Sequence, residues 1–395
     1  MNVSGEPLLS PALLVSSLLP PWRSASLALP HSDVRLFNLG RHALAAAVES
    51  LPPGPVLVPA FICREAVDGI RAAGRDVRFY SLGPDMNPVW ASIDASPEGR
   101  VPVAGIATGP SDKRGARSRT SPAAAMVLVH YFGVPADAAR ARRWCDERGI
   151  TLIEDCAHSF LSAVGGRPVG SEGDFAVFSF RKQLPVSGGA ALVINAHPGS
   201  STMRLRSGRS GVCPVPAVRE VAAWAVFSSG SGRLRRWLAP SLSDESMRIG
   251  TPPDRAQGID LFARRIVAKL ASRSGEIAVK RRANYKRLEG EFHDLPRLAP
   301  LFANLPNGAV PWGLPLKVAG GGAARDELLL VLLHEGIGAW KWPDLPEEVT
   351  QGGFPAALML ARETLVLPVH QNLSQRHVQH IADTVSGWAL SSGEG

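Results

Sequence analysis

ITLIEDCAHSFLSAVGGRPVGSEGDFAVFSFRKQLPVSGGAALVIN, residues 150–195, sets the chemistry of this chain at the ends of short apolar runs. The run 150–153 stops at Glu154 and Asp155. The run 175–178 stops at Ser179, with Lys182 three residues on, and Gly188-Gly189 precede a third run at 190–194. Short continuous apolar runs closed by turn residues predict strands covered on both faces, as in a parallel sheet. An acid at one strand end and a lysine just past another belong at one edge of that sheet. Open α/β folds bind their ligands there, outside the carboxyl ends of the strands.

The same rhythm extends upstream. AMVLVHYFG (125–133) predicts a strand closed by glycine, and ADAARARRWCDERG (136–149) a helix that ends at Gly149. VLVPAF (56–61), REAVDGIRAAG (64–74) and DVRFYSL (76–82) read as strand, helix, strand. Such alternation predicts an α/β fold with a mostly parallel sheet and helices on both faces. In LFNLGRHALAAAVESL (36–51) a helix should start near Gly40. The first amides of a helix lack intrahelical partners and suit a phosphate, so Gly40, Arg41 and His42 are candidates; a plain loop into a core helix fits the same letters.

Three stretches fall outside the rhythm. Residues 1–30, rich in proline, serine and leucine, read as an arm packed on the body or on a partner subunit. The basic stretch 107–122 reads as a solvated insertion. Residues 199–257 read as loops and short helices around one apolar helical piece. From 259 a single long helix is expected through IDLFARRIVAKLASRSGEIAVKRRANYKRLEGEF. Gly275 costs it roughly 1 kcal/mol relative to alanine without breaking it. PWGLPLKV and TLVLPVH then read as strands, RDELLLVLLHEG as a helix, and the last helix takes Ser374 as its N-cap. The division expected is an arm (1–30), a large domain (31–258) and a small C-terminal α+β domain (259–395).

Composition narrows the function classes. The chain has 395 residues, 45% hydrophobic and 20% charged, with a formal charge of +8. Its arginines are scattered and not interleaved with aromatics, which weighs against nucleic acid. No apolar run approaches the ~20 residues of a membrane span, and prolines break the apolar N-terminal stretch, so neither membrane nor signal peptide is expected. Cys63, Cys145, Cys156 and Cys213 form no CxxC pair, which suits a reduced compartment, the cytoplasm, and no zinc site. Walker, dinucleotide, zincin and nucleophile-elbow motifs are missing. Ser179-x-x-Lys182 matches the SxxK of penicillin-binding enzymes, but SDN and KTG do not accompany it.

VLVHYFGVPADAARARRWCDERGITLIEDCAHSF with GRPVGSEGDFAVFSFRKQLPVSGGAALVIN, within 126–195, resembles the DegT/DnrJ/EryC1/StrS aminotransferases. FNLGRHAL, VLVPAF, KRRANYKRL and LVLPVHQNLSQRHV are further echoes across the chain. The resemblance implies the aspartate-aminotransferase-like fold and the cofactor pyridoxal 5'-phosphate (PLP). It also implies a homodimer, an amino donor such as glutamate, and a keto acceptor such as a nucleotide-linked keto-sugar.

Residue by residue, the resemblance makes Lys182 the Schiff-base lysine and general base, and Asp155 the carboxylate that holds the ring nitrogen protonated. His158 falls near the ring hydroxyl. Ser179, with the amides around Gly40, Arg41 and His42, falls on the phosphate. The chain departs from the usual pattern in having its lysine three residues after the serine, and Ser187-Gly188-Gly189 where GEGG is usual, which marks an atypical subgroup. The aromatic that stacks on the ring is left among Phe61, Tyr131 and Phe132, with Cys63 at the same place. Two other readings stand beside the aminotransferase: a dehydratase or other lyase of the same fold, and a non-catalytic α/β ligand-binding protein.

Overall fold

The computed structural model describes residues 2–18, 33–94, 122–195, 221–225 and 258–391. Its helices and strands run α1 (Pro11–Leu18), β1 (Asp33–Phe37), α2 (Gly40–Glu49), β2 (Val56–Pro59), α3 (Arg64–Ala72), β3 (Val77–Tyr80), α4 (Trp90–Asp94), β4 (Ala125–Val129), α5 (Ala138–Asp146) and β5 (Thr151–Asp155). A small ladder of β6 (Ala163–Val164) and β7 (Arg167–Pro168) precedes β8 (Phe175–Ser179) and β9 (Ala190–Ile194). The second half holds α6 (Leu261–Ala271), α7 (Ser274–Phe292), β10 (Leu298–Pro300), β11 (Gly313–Val318), α8 (Gly321–His334), β12 (Trp340–Lys341), α9 (Glu347–Gln351), α10 (Pro355–Glu363), β13 (Thr364–Pro368) and α11 (Gln375–Ser391).

The large sheet has the order β1-β9-β8-β5-β4-β2-β3. Its pairs from β3 across to β8 are parallel, while β9 runs antiparallel to both β8 and β1. The reversal at β9 follows from chain length. A parallel return needs a crossover of about a dozen residues or more, and the turn after Lys182 is too short for one. The parallel register brings the carboxyl ends of β4, β5 and β8 to one edge.

Strand periodicity divides the core. Phe175 and Val177 pack on one side of β8 with Met126, Ile153 and Ala47. Ala176 and Phe178 pack on the other with Val193, Ile266 and Val267. Helix α6 therefore covers the large sheet, although the sequence division at 259 assigns it to the small domain. The small domain is the antiparallel sheet β10-β11-β13-β12 with α7, α8 and α11 against it.

The long helix expected from 259 is two helices. Arg273 (φ −112, ψ 17) leaves helical geometry ahead of Gly275, so α6 follows the large sheet and α7 the small domain. Asp260 caps α6 by accepting the amides of Phe262 (2.8 Å) and Ala263 (3.3 Å). Ser374 caps α11 through the amide of His377 (3.3 Å).

The N-terminal segment packs on the body: Val3 bridges Ile337, Glu6 lies 3.5 Å from Arg181, and Leu9 is buried. Residues 107–121 of the basic stretch, and 199–257 apart from the helical 221–225, lie outside the described residues. Among the described residues no helix is long and apolar enough to cross a membrane.

Candidate active site

Glu154 and Asp155 follow one another on a strand, so their side chains leave it on opposite faces. Glu154 is buried and accepts from the amides of Glu172 (2.8 Å), Gly173 (2.6 Å) and Gly170 (3.1 Å), and from His130 Nε2 (2.8 Å). His130 Nδ1 takes the amide of Ala136 at 3.0 Å, so its proton sits on Nε2, toward the carboxylate. Burial alone would raise the Glu154 pKa, but His130 and the glycine amides outweigh it and hold the carboxyl below its usual range. Cys156 lies within 4.8 Å of both, yet the His130 and Glu154 atoms are already committed to each other. This acid knots a loop.

Asp155 is the acid that faces the site. Its Oδ1 accepts the amide of Ala157 at 2.9 Å. Desolvation raises its pKa against the opposing pull of that amide, of His130 and of Lys182. Lys182 ends a 3-10 turn, Phe180–Lys182, that leaves β8. Its Nζ stands 4.5 Å from the centre of the Trp312 ring. His158 Nδ1 accepts the amide of Phe132 at 3.2 Å, and the imidazole stacks on Trp312 at 4.3 Å. Burial, then the charges of Lys182 and Arg181, push the His158 pKa well below its ordinary value. His158 is therefore neutral, with its proton on Nε2. Cys63 feels the same space. Burial raises its thiol to about 11, the Ala66 amide opposes this, and Asp155 and Lys182 act on it with opposite signs. The carboxylate and the amine that the sequence placed at separate strand ends thus share one electrostatic neighbourhood.

The other end of this space is the start of α2. A Cβ built on Gly40 would stand 3.8 Å from the Cβ of Ser179, so the helix start and the end of β8 meet. The preceding Leu39 is extended and supplies no side-chain cap. The His42 amide, expected to face a phosphate, donates instead to the Leu39 carbonyl at 3.1 Å, as the first turn of a helix tightens. Its imidazole is buried with neither nitrogen partnered, and burial followed by Arg41 lowers its pKa. The Arg41 guanidinium lies 4.0 Å from Glu65. Gly189 N donates to Asn38 O at 2.6 Å, tying the glycine turn after Lys182 to the residue two before Gly40.

Sequence reasoning missed the residues that hold this arrangement. Arg281 of α7 is fully buried, and burial lowers its pKa to about 9, still charged at neutral pH. It donates to the carbonyls of Gln183 (2.8 Å), Pro311 and Trp312 (both 3.1 Å) and to Gln371 Oε1 (2.8 Å). Gln183 in turn accepts from Leu161 N and donates to Val310 O. Trp312 and Trp342, neither singled out by the sequence, face the large-domain aromatics. Of those, Tyr131 is buried with its hydroxyl donating to Phe61 O, Phe132 has a left-handed backbone (φ 55), and Phe61 stacks on Trp342 at 4.0 Å.

PLP suits this donor set. Asp155 Oδ2 is left for a ring N–H, and a cation there would relieve the desolvation that raises its pKa. A neutral histidine presents one N–H, an amine stands opposite, and the far end offers a hydroxyl, a helix start and an orphaned imidazole for an anion.

Residues 114–206 match the DegT/DnrJ/EryC1/StrS aminotransferase family. A dTDP-4-dehydro-2,3,6-trideoxy-D-glucose 4-aminotransferase from Saccharopolyspora spinosa is 26% identical over 367 residues, covering 90% of this chain and 84% of that one. The solved aminotransferase TlmJ from Streptoalloteichus hindustanus superposes with a TM-score of 0.69 at 22% identity, covering 99% of each chain. The putative sugar aminotransferase Spr1654 from Streptococcus pneumoniae, solved in a PMP-form, superposes at 0.67 with 17% identity and 98% coverage of each.

Proposed function

We propose that this chain, whose residues 114–206 match the DegT/DnrJ/EryC1/StrS aminotransferase family, is a PLP-dependent aminotransferase of keto-sugars. Its amino donor would be an amino acid, glutamate first, and its acceptor a nucleotide-linked keto-sugar. The observation that carries this reading is the shared field of Asp155, Lys182 and His158 at the ends of β5 and β8.

Bound here, PLP would supply the electron sink that lets an amino group leave one carbon and join another. Lys182 would hold it covalently and, when released, take a proton at Nζ from the substrate carbon and return it. This role needs the amine in its neutral form. Asp155 would accept from the ring nitrogen and keep it cationic. His158, neutral, would donate from Nε2 to the ring oxygen. Ser179 and the α2 start would take the phosphate, with the His42 imidazole as a further partner. Both half-reactions would use the one site, giving ping-pong kinetics.

Homodimer assembly and a cytoplasmic setting belong to the same proposal and rest on the family likeness. A lyase remains the second reading, and Lys182 weighs against it, because dehydratase relatives carry histidine in place of the lysine.

The test is spectroscopic. Purified protein mixed with PLP should become coloured, fix the label on Lys182 when reduced with borohydride, and lose both properties in Lys182→Ala. Glutamate should then convert the bound group to its amine form. A protein that never takes up PLP would defeat the proposal, and one that takes it up but answers to no amino acid would favour the lyase.

A further inference from the structure

Residues 3–9 form a strap that crosses from one domain to the other. Val3 is buried in the small-domain core, its amide donating to Gly336 O (2.9 Å) and its carbonyl accepting from Gly338 N (2.8 Å). Ser4 O accepts from His370 Nε2 at 2.9 Å, and Gly5 is pressed on the Trp340 ring, where a Cβ would come within 3.0 Å. At the other end Leu9 is buried in the large-domain core with Phe178, Phe180 and Leu184. Beyond it, Ser16 O accepts from Lys269 Nζ of α6 at 3.0 Å.

Glu6 stands at the crossing. Its Oε1 lies 3.5 Å from Arg181 Nη1, with the two side chains 28% and 18% exposed, so solvent screens the pair only in part. Glu6 also acts on Arg281, opposing the burial that lowers the pKa of that guanidinium. Lys182 thus has both chain neighbours held: Arg181 meets the strap carboxylate, and Gln183 O accepts from Arg281 at 2.8 Å. The turn between them is thin. Gln183 N (3.1 Å) and Leu184 N (2.8 Å) share the carbonyl of Phe180. A single 3-10 turn fixes little by itself, so the seat of the lysine depends on what grips its flanks.

We infer that Glu6 is a positioning residue for Lys182: through Arg181 it pins the lysine turn to the strap, and the strap ties that turn to the small domain. The inference rests on the aminotransferase reading. Proton transfer at Nζ depends on placement, and a shift of about 1 Å costs on the order of 10²-fold in rate. A part-exposed ion pair contributes little to global stability. Loss of the Glu6 charge should therefore loosen the lysine turn while leaving the rest of the fold as it is.

The experiment compares the full-length wild-type protein with Glu6→Gln, Arg181→Gln and the double variant. In cofactor-free protein, hydrogen exchange at the amides of Gln183 and Leu184 should run roughly two- to fivefold faster in Glu6→Gln, while exchange in α11 keeps its wild-type rate. The double variant should exchange no faster there than either single one, because the two side chains act through each other. In PLP-loaded protein, the donor half-reaction is followed as the colour change with glutamate. In Glu6→Gln its limiting rate should fall by roughly tenfold, with the glutamate concentration for half the limiting rate unchanged. Glu6→Asp, which keeps the charge on a shorter stem, should recover part of that rate. Wild-type exchange in the lysine turn of Glu6→Gln, additive effects in the double variant, or a rate loss that saturating glutamate restores would overturn the inference alone. Wild-type protein that shows no colour change with glutamate would bring down the aminotransferase reading and this inference with it.

Discussion

Arg281 donates at 2.8 Å to the carbonyl of Gln183, the residue that follows Lys182. The same guanidinium holds the carbonyls of Pro311 and Trp312 and the side chain of Gln371. One cation on α7 thus braces the lysine turn, the start of β11 and the loop after β13, and among the described residues it donates to carbonyl oxygens alone.

Arg281→Met should therefore leave buried carbonyls without donors and lower the unfolding free energy by about 3–5 kcal/mol, read by denaturant titration. Arg281→Lys keeps the charge but not the fork, and should recover only part of the loss. Methionine at wild-type stability would remove the bracing role.

Asp155 carries a pKa raised by desolvation. A raised folded-state pKa favours the protonated acid, so its contribution to stability is full below the unfolded carboxylate pKa and lost as pH rises through the folded value. Asp155→Asn should accordingly raise the melting temperature of cofactor-free protein at neutral pH, and the gain should fade on acidification. The same variant should lose activity by on the order of 10²- to 10³-fold. Thermal scans across pH, with turnover alongside, check both halves; a variant less stable at neutral pH would contradict this account of the site.

Gly133 (φ 93) lies under the residues that lead into β11. A Cβ on it would come within 2.8 Å of Pro311 Cα and 2.9 Å of Trp312 N. Gly133→Ala should cost about 3 kcal/mol, from backbone strain and overpacking together, and should disturb the tryptophan signal in near-ultraviolet circular dichroism. Gly149 is also left-handed (φ 63) but opens on empty space, so Gly149→Ala should cost only about 1 kcal/mol.

The large sheet was legible because its strands are short apolar runs with glycine punctuation, and β4, β5 and β8 lie where those runs stand. That Asp155 and Lys182 come close could be read because strand ends in a parallel sheet share an edge. The reversal at β9 was not read, since an apolar run carries no direction. Arg281 was hidden in KRRANYKRL, where a basic cluster suggests a solvated face and only the packing of α7 shows which arginine turns inward. Trp312 and Trp342 were hidden for another reason. They are isolated aromatics beside turns, and a second domain brings them to the site. The helix break at Arg273 left no proline or glycine at the position itself.

Strand β1 pairs with β9 from Asp33 against Ile194 to Phe37 against Ala190, and α2 begins at Gly40 directly after it. During translation, the turn proposed to bind the phosphate leaves the ribosome long before the strand that fixes its edge. It is completed only when residue 194 has cleared the exit tunnel, because a distant pairing cannot form before both partners exist. A nascent chain cut short of that point would have no finished seat for the proposed PLP, so added PLP should stabilise only chains that have already folded through β9.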